Sequence, residues 1–162
     1  MLKTGEDITI TVRPMDAGDT QLLYNHFCDL SERSRAKFRP HDFTIETAQK
    51  FTGEGLADPE CKRFIAIAEK DGEISAAGYC FLGSWHTDSP WLGIAVGDRW
   101  QGMGVGRRMM DYMINICREN GKKELRLTTD KDNTAGQKLY AKCGFVITGE
   151  GDENDYKLVL KL

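Results

Sequence analysis

The stretch Val96-Gly-Asp-Arg-Trp-Gln101-Gly-Met-Gly104-Val-Gly106-Arg107-Arg108 constrains this chain more than any other. Before it, Trp91–Val96 is a short apolar run that reads as a strand, with Gly93 hinting at a bulge. After it, Val105, Met109, Met113, Ile116 and Cys117 fall on one face of a long helix that Gly121 closes. Between the two, three glycines in five positions let the main chain approach a ligand and turn several N–H groups one way. The helix adds its unpaired first amides and the positive end of its dipole, so the junction reads as a pyrophosphate cradle. Arg107 and Arg108 are poor residues for that end of a dipole and fit better beside an anion.

Other phosphate-binding patterns fit less well. The sequence G-x-x-x-x-G-K-[ST] occurs nowhere. A G-x-G-x-x-G fingerprint starting at Gly102 or Gly104 would place its third glycine on Arg107 or Met109, which blocks the close helix–sheet approach that glycine permits. A nucleotide-dependent oxidoreductase is disfavoured on that ground. What remains is V-x-x-x-x-Q-x-x-G-x-G, met by Val96, Gln101, Gly104 and Gly106.

Around this junction the hydrophobic periods predict the order β-α-α-β-β-β-α-β-α-β-β, a mixed-sheet α/β (α+β) domain with helices covering an open sheet. Ile8, Ile10 and Val12 alternate as a first strand; Leu22, Leu23, Phe27 and Leu30 recur at helical spacing. Residues 31–41 read as a polar, basic connector, and Thr44 opens a second helix. Asp71-Gly72 between two apolar runs is a hairpin signal. Leu125, Leu127 and Thr129 alternate, Asn133 or Thr134 caps a helix that Gly144 ends, and two strands finish the chain.

Composition narrows the class. A chain of 162 residues, 40% hydrophobic and 29% charged, is expected to form a single domain over 1–162. Its apolar runs are too short to span a membrane, and Met1–Asp7 lacks the apolar core of a secretory signal. The five cysteines are scattered without a C-x-x-C pair, so neither a disulfide framework nor a metal site is expected, and the chain reads as cytoplasmic. The net charge of −3 divides into −6 over residues 1–98, +5 over 99–142 and −2 beyond. A basic segment in an acidic chain suits a phosphate-bearing ligand held locally, with no nucleic acid or membrane partner.

The glycine turn and a second segment, Asn133-Thr-Ala-Gly-Gln-Lys-Leu139-Tyr140-Ala-Lys142-Cys-Gly144-Phe145, together resemble the GNAT family of N-acetyltransferases. The second segment is similar to that family's N-x-x-A-x-x-L-Y-x-K-x-G-F, with Gly136 where alanine is usual and Ala135 shifted by one. The resemblance implies an acyl-CoA N-acyltransferase fold with a splayed central sheet. It implies acetyl-CoA as donor and a primary amine, small molecule or protein, as acceptor, in a monomer or homodimer. The backbone of Ile94, Ala95 and Val96 is then expected to pair with the pantetheine arm. The amides of Gln101, Gly102, Met103, Gly104, Val105, Gly106 and Arg107 are expected to hold the pyrophosphate. A freed N–H near Ala95 or Val96 would polarise the thioester carbonyl.

Within that resemblance Tyr140 is the candidate general acid, because a phenol of pKa ~10 stays protonated at neutral pH and can donate to a departing thiolate. Asn133, on the same helix face, is the candidate cofactor hydrogen-bond partner. For the base, the position held by glutamate in ribosomal-protein acetyltransferases of the family is Thr128 here. His86 and Asp88 are the nearest candidates, and His41 is a third. Segments 31–43, 84–90 and 149–155 are expected to read the acceptor. The alternative is a non-catalytic acyl-CoA-binding regulatory module of the same fold.

Overall fold

The computed structural model describes residues 2–4, 7–38 and 40–162, the side chains of 2–4 excepted, so the basic Arg39 of the connector lies outside the described residues. The strands are β1 (Leu2–Thr4), β2 (Ile8–Pro14), β3 (Cys61–Lys70), β4 (Glu73–Gly83), β5 (Trp91–Val96), β6 (Glu124–Asp130), β7 (Val146–Glu150) and β8 (Asp155–Lys161). The helices are α1 (Thr20–Asp29), α2 (Glu32–Lys37), α3 (Ile45–Thr52), α4 (Val105–Glu119) and α5 (Thr134–Lys142). All strands join one sheet in the order β1-β2-β3-β4-β5-β6-β8-β7. The expected elements are present; β1 and α2 are additional.

The centre of the sheet is buried on both faces, and strand alternation decides which side chain goes where. On β4, Cys80 and Leu82 face a core with Met109, Met110 and Met113 of α4, while Tyr79 and Phe81 face a second core with Phe27 of α1 and Phe51 of α3. The β3–β4 hairpin turns on Asp71 (φ 52°) and Gly72 (φ 82°), the paired left-handed residues of the tightest hairpin turn. A register shift between Ala66 and Ile67 skips Ala77, and just beyond it Gly78 lies where an added Cβ would run into the Met109 side chain.

Pairing through β5 sets up everything else. Its antiparallel register with β4 is continuous from Gly78↔Val96 to Gly83↔Trp91. Its parallel register with β6 is a single position, Trp91↔Arg126, and Arg126 N–H donates to Pro90 O at 3.0 Å. Past that point the two strands diverge, as a splayed sheet requires.

The expected bulge at Gly93 is absent, since the register there is regular. Gly93 is required for packing instead. An added Cβ would overlap the Phe81 ring and stand 3.1 Å from Phe38 Cε2. Gly93→Ala is therefore expected to destabilise the fold by about 1–3 kcal/mol, read as a lower urea midpoint at unchanged slope.

Candidate active site

Divergence of β5 from β6 opens a cleft of about 620 Å³ walled by both strands, the glycine turn, α5, residues of α2 and Leu30 at the end of α1. Gly97 N–H donates to Ala77 O at 2.8 Å. Alternation along an antiparallel pair then turns the main-chain groups of Ala95 toward β4 and those of Ile94 and Val96 toward the cleft. Ala95 therefore lines the cleft but commits its amide to the sheet, and the free N–H expected near Ala95 or Val96 belongs to Val96. The side-chain amide of Gln101 folds back onto Val96 O and Asp98 Oδ1, each at 3.3 Å, and fixes the turn from within.

Gly102 (φ 74°) and Gly104 (φ 81°) adopt the left-handed conformation that side chains disfavour, and space around Gly102 is open. Gly104 is the N-cap of α4 and brings no side-chain cap; the first turn holds no acidic residue. The opening amides of α4 thus keep their donors for an outside acceptor. Gly106 has another duty: an added Cβ there would stand 3.1 Å from Leu139 Cδ2, so it lets α4 close on α5. Val105 is buried in the core and Met103 packs against it, so only their main chain is offered to the turn. Arg107 donates to Asp111 Oδ1 at 2.9 Å and to Lys142 O at 3.2 Å, joining α4 to the end of α5 while lining the cleft.

Tyr140 lines the cleft at 7% exposure, and burial first, then Cys143, pushes its phenol up to about 12. Asn133 also lines the cleft, yet its side chain works for the fold. Oδ1 accepts from Gly136 N–H at 3.2 Å and Nδ2 donates to Thr129 Oγ1 at 3.0 Å. This explains the glycine that departs from the family pattern: an added Cβ at Gly136 would press on the Asn133 carboxamide carbon at 2.9 Å.

The three base candidates are not brought to this cleft. His86 is exposed and bonded through Nδ1 to Glu60. Asp88 is exposed and paired with Lys123 Nζ at 2.6 Å, a bond that holds its carboxyl below the ordinary value. His41 sits among the rings of Phe27, Phe38, Phe43, Phe51 and Tyr79, and burial lowers its pKa. The loop holding His86 and Asp88 comes too early in β5 to reach the divergence.

Of the segments expected to read the acceptor, 31–43 reaches the cleft through Ser34, Lys37 and Phe38; 84–90 and 149–155 do not line it. The connector is in part a helix that bridges the opening. At one end Ser31 N–H and Ser34 Oγ donate to the two Asp98 carboxylate oxygens at 2.9 and 2.5 Å. At the other, Lys37 Nζ bonds Asp132 Oδ1 at 3.0 Å. Sequence reasoning missed this bridge, although the Ser31-x-x-Ser34 spacing is that of an N-cap.

Residues 23–145 match the Acetyltransferase (GNAT) family. The chain belongs to that family. It is 28% identical over 145 residues to a mycothiol acetyltransferase of Kocuria rhizophila, covering 84% of this chain and 46% of that one. It is 26% identical over 98 residues to acetyltransferase PA5475 of Pseudomonas aeruginosa, covering 60% and 52%. The chain thus spans about half the length of these curated relatives. A ribosomal-protein-S5-alanine acetyltransferase from Vibrio fischeri superposes with a TM-score of 0.81 at 17% identity, over 94% of this chain and 92% of that one.

Asp98 joins α2 to the glycine turn. Burial works to raise its pKa, but the bonds from Ser34 and Ser31 outweigh it and hold the carboxyl below its ordinary value. A depressed carboxyl stabilises the fold above the unfolded pKa of about 4 and loses that contribution as pH falls through the folded value. Asp98→Ala is therefore expected to cost about 1–3 kcal/mol at pH 7, with the difference from the parent shrinking below pH 4 in parallel denaturant titrations.

Proposed function

We propose that this protein transfers an acetyl group from acetyl-CoA to a primary amine by direct attack. The observation that carries the reading is that three features open on one cleft: the unpaired edge of β5, the uncapped turn at Gly102–Gly104 and the phenol of Tyr140. The donor fits the residues present. A pantetheine arm would lie along Ile94 and Val96 as an added strand, and a pyrophosphate would take the amides from Gln101 to Arg107. Lys138, Lys142 and Arg107 on the same wall suit its phosphates. Bound there, acetyl-CoA supplies an activated acyl group.

The chain's own part is to hold and to move a proton. Val96 N–H is the donor free to polarise the thioester carbonyl. Tyr140 keeps its proton throughout the neutral range and gives it to the departing sulfur. Asn133 acts by fixing the start of α5, and with it Tyr140; its role is positioning. The names of two relatives, a mycothiol acetyltransferase and a ribosomal-protein-S5-alanine acetyltransferase, differ in the molecule concerned, in keeping with a shared donor half and a variable acceptor half.

Thiol release from acetyl-CoA with a panel of amines tests the reading, and binding without turnover would leave a regulatory module. Tyr140→Phe is expected to lower kcat about 10²-fold or more with the donor Kd nearly unchanged; unaltered turnover reduces Tyr140 to packing. Gly104→Val, forced into a left-handed backbone, is expected to weaken coenzyme A binding at least about tenfold by calorimetry at a temperature where circular dichroism shows the variant folded. Equal affinity would move the donor elsewhere.

A further inference from the structure

The titratable side chains lining the cleft, among the described residues, are Lys37, Arg107, Lys138, Tyr140 and Lys142. Four are cations and the fifth is a phenol that burial holds protonated far above neutrality. Lysine and arginine side chains are hydrogen-bond donors only, and the phenol is held neutral, so none accepts a proton from an incoming ammonium. Thr128, which also lines the cleft, offers a hydroxyl where a carboxylate would serve as base. The carboxylates nearest by bonding are committed elsewhere. Asp132 lies off the lining and is held below its ordinary value by Lys37, Asp98 is engaged by Ser31 and Ser34, and Asp111, also off the lining, is paired with Arg107 at 2.9 Å.

The remaining wall works against an ammonium as well. Leu30, Phe38, Leu92 and Leu127 present apolar surface, and Lys37 stands on the bridging helix among them. Low polarity favours the neutral form of a basic group, and Lys37, paired with Asp132, leaves no free carboxylate on that wall to hold the charged one. We infer, resting on the N-acetyltransferase reading above, that the acceptor is an α-amino group, on a free amino acid derivative or a peptide N-terminus, rather than a lysine-type ε-amine.

The proton balance explains why this cleft suffices for such an acceptor. When the free amine attacks, the C–N bond forms and the C–S bond breaks. Nitrogen loses one proton and sulfur gains one, so the exchange through Tyr140 and solvent is neutral overall. Starting from an ammonium leaves one proton over, for which the cleft has no taker. At pH 7 an α-amine of pKa about 7.7–8.0 is about one-tenth free base, whereas an ε-amine of pKa about 10.4 is only about one part in 2,500. Higher intrinsic nucleophilicity of the more basic amine recovers part of that gap.

Initial rates of thiol release between pH 6 and 10.5 decide the matter. The acceptors are a set of amino-acid amides, tripeptides led by the same residues, and Nα-acetyl-lysine amide. The amide and tripeptide arms separate a small acceptor from a peptide. At pH 7 the best α-amine is expected to exceed the lysine derivative in kcat/KM by at least about 30-fold. Each profile is expected to rise with the acceptor's own titration, levelling near 8 for α-amines and near 10 for the ε-amine, so the gap narrows with pH. Lysine turnover within threefold of the best α-amine at pH 7 overturns the inference. So does a common inflection between pH 5.5 and 7.5 with every acceptor, the mark of a base on the enzyme, or donor binding without turnover of any α-amine. Thermal protection by coenzyme A is read alongside. If it persists while lysine is preferred, only the acceptor assignment fails; if it is absent and no amine is acetylated, the donor reading fails with it.

Discussion

The structure depends on two strands that start together and then part. β5 is bonded along its whole length to β4, but meets β6 only at Trp91↔Arg126. A buried strand edge with unanswered N–H and C=O groups is costly unless something fills it. The fold tolerates the gap because the two halves of the sheet are anchored independently. β4 is gripped from both faces by α1, α3 and α4, while β6 is held by seven register positions with β8. The gap is therefore built into the pairing of the backbone and leaves a polar edge of β5 facing the cleft.

Around that gap the two ends have different chemistry for different physical reasons. At the glycine turn, left-handed residues and an uncapped helix expose amides that favour negative charge. At the other end, α2 crosses the opening and brings Phe38 and Lys37 to it. Polar ties to Asp98, to Asp132 and, through Arg35, to Phe27 O hold this short helix, which has no buried residue of its own. The tie at Asp98 also touches Gln101, so α2 and the glycine turn share a carboxylate.

Much of this was legible in the sequence. Strands β2 and β6 alternate, α4 has a long apolar face, and Asp71-Gly72 marks the hairpin between β3 and β4. The glycine turn and the segment from Asn133 to Phe145 carried the family. Helix α2 was not legible, because six residues with no apolar period look like a solvated connector. Gly93 was misread: a strand glycine signals close approach of something, and here it is the Phe81 ring rather than a bulge. His86 and Asp88 are close to β5 along the chain, but closeness in sequence says little about which side of a strand a preceding loop reaches.

Local chemistry decided whatever depends on near neighbours. The turn, the caps of α4 and α5 and the uncapped amides that open α4 are fixed by residues a few positions apart, so the sequence by itself determined them. Contacts between remote segments needed the folded chain. Only tertiary structure decided that β5 and β6 diverge, that Val96 rather than Ala95 faces the opening, and that α2 ties itself to Asp98 and Asp132. The reason is physical: strand partners, and the side on which a main-chain group lies, follow from pairing across the sheet, and no period within one strand records which neighbour it will have.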